Sequence, residues 1–174
     1  SLEDHSPIHL ASYRPAEHGL GGLAWVDLST GKFHCQDLDS GEGIESLLAI
    51  QPREILIPAG FGPTGAPILD WLSAYLPGCT LTRWPEWHFE LESARQRLLA
   101  HFAMTTLDGF GVEHLKGAIG TAGALLEYLQ QTQRQSLMHI TSLRSSGHQR
   151  KLGLDASTHR ALDLLEVTRT GERR

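Results

Sequence analysis

The chain has 174 residues, 40% hydrophobic and 20% charged, enough for one domain with a real core plus material at its ends and too few for two full domains. Fifteen basic against twenty acidic residues give a formal charge of −5. No Lys/Arg run exceeds two residues, so the electrostatic footprint of a protein that grips a phosphate backbone by itself is missing. No apolar run approaches the ~18 residues of a membrane helix, and Ser1-Leu2-Glu3-Asp4 lacks the basic-then-apolar order of an export signal. A cytoplasmic location is expected, with Cys35 and Cys79 as reduced thiols, because they are far apart and no second Cys or His sits at ligand spacing. With no initiating Met and a stop just after an amphipathic segment, the chain reads as an internal piece of a longer one.

The first strand-like signal is the apolar run from Leu20 to Leu28. Ser29-Thr30-Gly31 is a turn, and Lys32 to Leu38 alternates through Phe33 and Cys35, which predicts a hairpin. Gly41 to Ile50 has Ile44, Leu47 and Leu48 at helical spacing, and Pro52 opens a buried strand at Glu54-Ile55-Leu56-Ile57. Ala66 to Leu76 repeats the helical pattern and Thr80 to Arg83 reads as a strand, so the alternation predicts an α/β sheet covered by helices. Leu91, Ala94, Leu98, Leu99 and Phe102 form one apolar stripe of a further helix, whose other face shows Glu92, Arg95, Gln96 and His101. A loop at Asp108 to Gly111 precedes a long helical stretch, Val112 to Arg134, rich in Gly and Ala. Because Gly costs helix stability, close packing is the expected reason for its use. Ser136 to Arg144 reads as a connecting segment, Ser145-Ser146-Gly147 as a turn, and Asp155 to Val167 as the start of another helix behind an Asp155 cap.

Few motifs carry chemistry. Gly60-Phe61-Gly62-Pro63-Thr64-Gly65 fits the spacing of a dinucleotide-binding turn, but Pro63 removes a backbone donor and no acidic residue follows at the ribose-binding position. Asp27, near the end of a strand, is where a two-metal nuclease would place a first carboxylate. Such a site needs several convergent carboxylates, and the later strands offer only Glu54. A hairpin-end Asp beside Ser-Thr-Gly is more ordinarily a turn residue. His5 and His9 flank Pro7 in an irregular tail, the histidines from His88 to His159 show no paired ligand spacing, there is no H-E-x-x-H, and no P-loop is present, since Gly31-Lys32 is followed by Phe33. Gln130, Gln131, Gln133 and Gln135 read as the polar end of a helix. Trp25 and Trp71 read as core, whereas Trp84 and Trp87, around Pro85, retain an interface reading.

Several collinear stretches resemble the MutS family of DNA mismatch-repair proteins. They are Ile8 to Ser12, Asp27 to Phe33, Pro52 to Leu56, Trp87-His88-Phe89 with Ala94-Arg95-Gln96 and Leu98, and Leu107 to Gly111. Further on come Ala122 to Leu126 with Tyr128-Leu129 and Thr132-Gln133, then His139-Ile140, then Leu154 to Thr158 with Arg160 and Leu162. The resemblance implies a connector domain of ribonuclease-H-like architecture, a mixed sheet flanked by helices, followed by a short helical segment from the next domain. It divides the chain into a linker from the mismatch-binding domain (1–16), the connector (17–144) and a truncated start of the core/lever domain (145–174).

In that family the connector is not catalytic. It relays conformational state between the mismatch-binding and core/ATPase domains and offers a surface to MutL. The family's pair of partner-docking glutamines falls on Gln96 and Arg97, with Arg97 departing from the second Gln. Ala161 departs from an Asn at the core-domain opening. The expected docking face is therefore Glu92, Arg95, Gln96 and Arg97. No catalytic, metal-binding or cofactor-binding residue is expected in this stretch. ATP and Mg belong to the parent protein, and mismatched DNA is contacted through the parent rather than through these residues. The rival readings are a divalent-metal nuclease using Asp27 and a purely structural spacer.

Overall fold

The computed structural model describes residues 6–16, 20–61 and 66–146. Among these residues six strands form one sheet in the order β5-β4-β1-β2-β3-β6. They are β1 (His9–Arg14), β2 (Gly21–Asp27), β3 (Phe33–Leu38), β4 (Glu54–Pro58), β5 (Thr80–Trp84) and β6 (Arg144–Ser145). β2 runs antiparallel to both β1 and β3, whereas β4, β5 and β6 pair in parallel with their neighbours. This is the ribonuclease-H-like mixed sheet. Among the described residues four α-helices accompany it: α1 (Ile44–Ile50), α2 (Ala66–Tyr75), α3 (Leu91–Phe102) and α4 (Lys116–Thr132).

The expected hairpin forms, its turn closed by Gly31 N–H donating to the Asp27 carbonyl at 2.7 Å. The helices and strands expected between the hairpin and Arg134 form as well, the long one as Lys116–Thr132. Three readings are corrected. The first strand is not at Leu20 but at His9–Arg14, within the stretch read as linker, and it lies in the middle of the sheet. A strand buried on both faces ordinarily announces itself as a Val/Ile/Leu run. Here the space beneath the helices is filled by Leu10, Ala11, Ser12 and Tyr13, all buried, and the small and polar members hide the signal. The connecting segment after α4 begins as a 3-10 helix, Arg134–His139. The turn expected from Ser145 instead starts with β6, where Cys35 pairs with Ser145. The helix expected at Asp155 to Val167 and most of the loop at Gly60 to Gly65 lie outside the described residues.

Alternation along the strands sends side chains to two apolar layers. Leu10, Ala24, Val26, Phe33 and Cys35 pack with α3 and α4, while Ala11, Tyr13, Leu23, Leu38 and Ile55 pack with Ile44, Leu47, Trp71 and Leu72 of α1 and α2. α4 lies across β1, β2 and β3, and its glycines set how closely. A Cβ on Gly117 would come within 1.9 Å of the Gly21 carbonyl oxygen, and one on Gly22 within 2.1 Å of the Gly117 carbonyl oxygen. On its other side, a Cβ on Gly123 would stand 2.6 Å from the Ala94 Cα. The first turn of α4 carries no acidic residue and no local side-chain cap. Asp37 of β3 takes that role from across the fold, its carboxylate accepting the Ala118 N–H at 2.8 Å, where the exposed amides and helix dipole favour negative charge.

Propensity and packing pull in opposite directions at Gly117. Ala would favour the isolated helix by about 1 kcal/mol, but here its methyl meets backbone that cannot swing aside. Gly117→Ala is expected to destabilise the fold, by about 1–3 kcal/mol, as read by urea unfolding.

Candidate functional site

α3 is built with one greasy face and one polar face. Ala94, Leu98 and Leu99 are buried against α4 and the sheet. Glu92 and Gln96 are exposed one turn apart, and Gln96 Nε2 donates to Glu92 Oε1 at 3.0 Å. The other two residues expected on the docking face do different work. Arg95 Nε donates to Glu113 Oε1 at 2.9 Å, with Nη2 on the same oxygen, and Glu113 Oε2 accepts the Leu107 N–H at 2.8 Å. The Arg95 hydrogen bonds hold the Glu113 carboxyl below the usual carboxylate range, helped by the Leu107 amide. Arg97 points inward: its side chain is 15% exposed, Nη1 donates to the Gly123 carbonyl at 3.1 Å and Nη2 lies 2.9 Å from Glu127 Oε2. Exposure of Arg97 is thus a corrected expectation. Its long stem crosses the close α3–α4 contact, where Gly123 leaves the carbonyl open to it.

The same Glu127 oxygen pairs with His88 Nδ1. His88 is buried, and its ring stacks on Trp84 at 4.2 Å between centroids, while Trp84 meets Tyr128 edge-on at 5.2 Å. Tyr128 and Thr82 both donate to Glu54 Oε2, at 2.5 Å each. Burial, then the hydrogen bond and charge of Glu54, push the Tyr128 phenol up to about 12. Sequence reasoning missed Glu54, His88, Glu127 and Tyr128 as a connected system, because their positions converge only through α4. Of the tryptophans, Trp71 is buried, Trp25 and Trp84 are partly buried and Trp87 is exposed. Gln130, Gln131 and Gln135 are exposed at the end of α4 and after it.

The two carboxylates of the nuclease reading do not meet. Glu54 is in register with Leu10, whose side chain packs on the α4 side, and Asp27 is in register with His9, the next residue along β1. Consecutive strand residues face opposite ways, so Asp27 and Glu54 lie on opposite faces of the sheet. Asp27 instead closes its turn, Oδ1 accepting from Ser29 N at 2.9 Å and Ser29 Oγ at 2.6 Å. Partial burial acts to raise its carboxyl, but the Ser29 hydrogen bonds, with help from His9, keep it below the ordinary value. Among the described residues, no three of His, Cys, Asp and Glu are grouped to hold a metal ion. A cavity of about 350 Å³ lies at the same end of the sheet as Asp27, lined in part by His9, Arg53 and Cys79. Burial and the nearby Glu54 push the Cys79 thiol up to about 11.

The family model for MutS domain II matches residues 9–141, the stretch that holds α3 and the glycine-rich α4. The chain belongs to the MutS domain II family. That family carries a connector role in mismatch repair, and the match takes in every strand of the sheet except β6. The MutS domain II match begins with β1, the strand that composition concealed. Among the described residues no helix is long and apolar enough to cross a membrane.

Two outcomes follow for this MutS domain. Arg97→Glu sets a carboxylate against Glu127 and abandons the Gly123 carbonyl, so it is expected to cost about 2–3 kcal/mol, seen as a lower melting temperature. Tyr128 supplies a pH test. Its folded pKa lies above the unfolded value, so the native state keeps a proton that the unfolded state gives up. Its contribution is therefore intact below pH 10, and stability falls as pH rises from 10 to about 12. In a comparison of alkaline unfolding curves, Tyr128→Phe is expected to show a shallower loss across that window.

Proposed function

We propose that this MutS connector docks MutL through the solvent face of α3 and passes displacements between the mismatch-binding domain on one side and the core/ATPase domain on the other. The observation that carries the docking half is the division of labour on α3. Glu92 and Gln96 are exposed and engaged only locally, while Arg95 and Arg97 are spent on bracing the helix to Glu113 and Glu127. A surface held rigid by its own second row of contacts loses little entropy when a partner binds.

The transmission half is supported by stiffness. The backbone-to-backbone seat of α4 on β2 leaves no slack for the helix to slide, so a push on one element is delivered to the others as a rigid-body movement. In this reading ATP and Mg act in the rest of the parent protein, and mismatched DNA is met through the other domains.

The test is interferometry between the full-length MutS protein and the N-terminal domain of its cognate MutL. Glu92→Lys/Gln96→Ala changes only exposed atoms, so the fold should keep its melting temperature while binding weakens about tenfold, the range of a centrally placed interface pair. Binding equal to the wild type would leave a structural spacer as the better reading. Arg97→Glu is unsuitable for this test, because its effect on the fold would imitate a lost contact.

A further inference from the structure

Trp87 is 63% exposed, one of the few large apolar side chains left in water among the described residues. It follows Pro85 and the exposed Glu86 at the head of α3, in the 3-10 turn Glu86–Phe89. An exposed indole is ordinarily free to change rotamer. Here its ring packs on His88 with centroids 3.6 Å apart, and His88 continues through Trp84 to Tyr128 in one aromatic column. The column is fixed from below: His88 pairs with Glu127, which also holds Arg97. The molecule thus keeps a large apolar surface in water and immobilises it, which is the form of a binding anchor rather than of a surface residue tolerated singly.

The surroundings say what kind of surface would cover it. Glu86, Glu90 and Glu92 are all exposed around this turn. The only cation paired with them at the turn among the described residues is Arg14, whose Nη2 lies 3.7 Å from Glu86 Oε1. We infer that Trp87 is the apolar anchor of the docking face, inserting into a cleft of the partner protein that is rimmed by Lys or Arg side chains. Charge complementarity selects such a partner over a membrane or nucleic acid, both of which the acidic rim repels. This rests on the docking reading of α3, and it adds to that reading the residue that supplies most of the affinity and the sign of the partner's charge.

The experiment uses the full-length protein and the N-terminal domain of cognate MutL, with affinities measured at several salt concentrations for four variants: Trp87→Ala, Trp87→Phe, Glu90→Lys and Glu92→Lys/Gln96→Ala. Trp87→Ala should weaken binding about 30-fold, Trp87→Phe less, and Glu90→Lys should weaken binding and flatten its salt dependence. Melting temperatures should be unchanged for Trp87→Ala. If Trp87→Ala binds like the wild type while Glu92→Lys/Gln96→Ala does not, docking on α3 stands and the anchor is refuted. No binding by the wild type, or none of the variants affecting it, overturns both. A lowered melting temperature with unchanged affinity assigns Trp87 to the packing of its own domain on His88 and likewise refutes it.

Discussion

The seat of α4 on β2 is the contact on which the rest of this domain depends. At Gly22 and Gly117 the helix and strand meet backbone to backbone, at a distance that no side chain at either position would permit. That depth brings the far end of α4 over the β4–β5 half of the sheet, where Tyr128 reaches Glu54. It also turns Glu127 towards α3 and His88. Raising the helix by the width of a methyl group would open both contacts at once, leaving Glu54 only its Thr82 hydroxyl and drawing Glu127 away from His88 and Arg97.

α3 is in turn held by what α4 offers it. Gly123 opens the contact to Ala94 and exposes the carbonyl that Arg97 caps, and Arg95 secures the other flank through Glu113 to the loop at Leu107. The exposed row of the helix is therefore presented on a rigid support. For a connector in a mismatch-repair protein this suits both tasks proposed for it, since a relay and a docking surface each need geometry that does not drift. Polar groups that resemble catalytic apparatus are used structurally: Asp27 closes a turn, Asp37 caps a helix and Glu54 gathers two hydroxyls.

Much of this architecture could be read from the residues alone. The hairpin from Leu20 to Leu38, the α1-β4-α2-β5 alternation and the amphipathic stripe of α3 are local patterns, and local patterns survive in sequence because each rests on the period of its own element. The glycine-rich stretch predicted close packing without saying against what. The collinear motifs led to the MutS family, and through it to the proposal of α3 as a docking helix, although hydropathy by itself could say only that one face of α3 met solvent or a partner.

What the sequence could not decide was whatever depended on distance between remote positions. β1 was hidden because its centrality, not its composition, makes Ala11 and Ser12 core residues. Arg97 looked like a surface residue because helical periodicity places a Cα on a face but does not say where a long side chain will find a carboxylate. Asp37 and Ala118 are 81 residues apart, and no pattern of period 2 or 3.6 connects them. The alternation of strand residues could be counted in advance, but that it sends Asp27 and Glu54 to opposite faces emerged only when the register through β1 was known. Periodicity assigns each residue a side of its own element, and tertiary packing alone decides which sides meet.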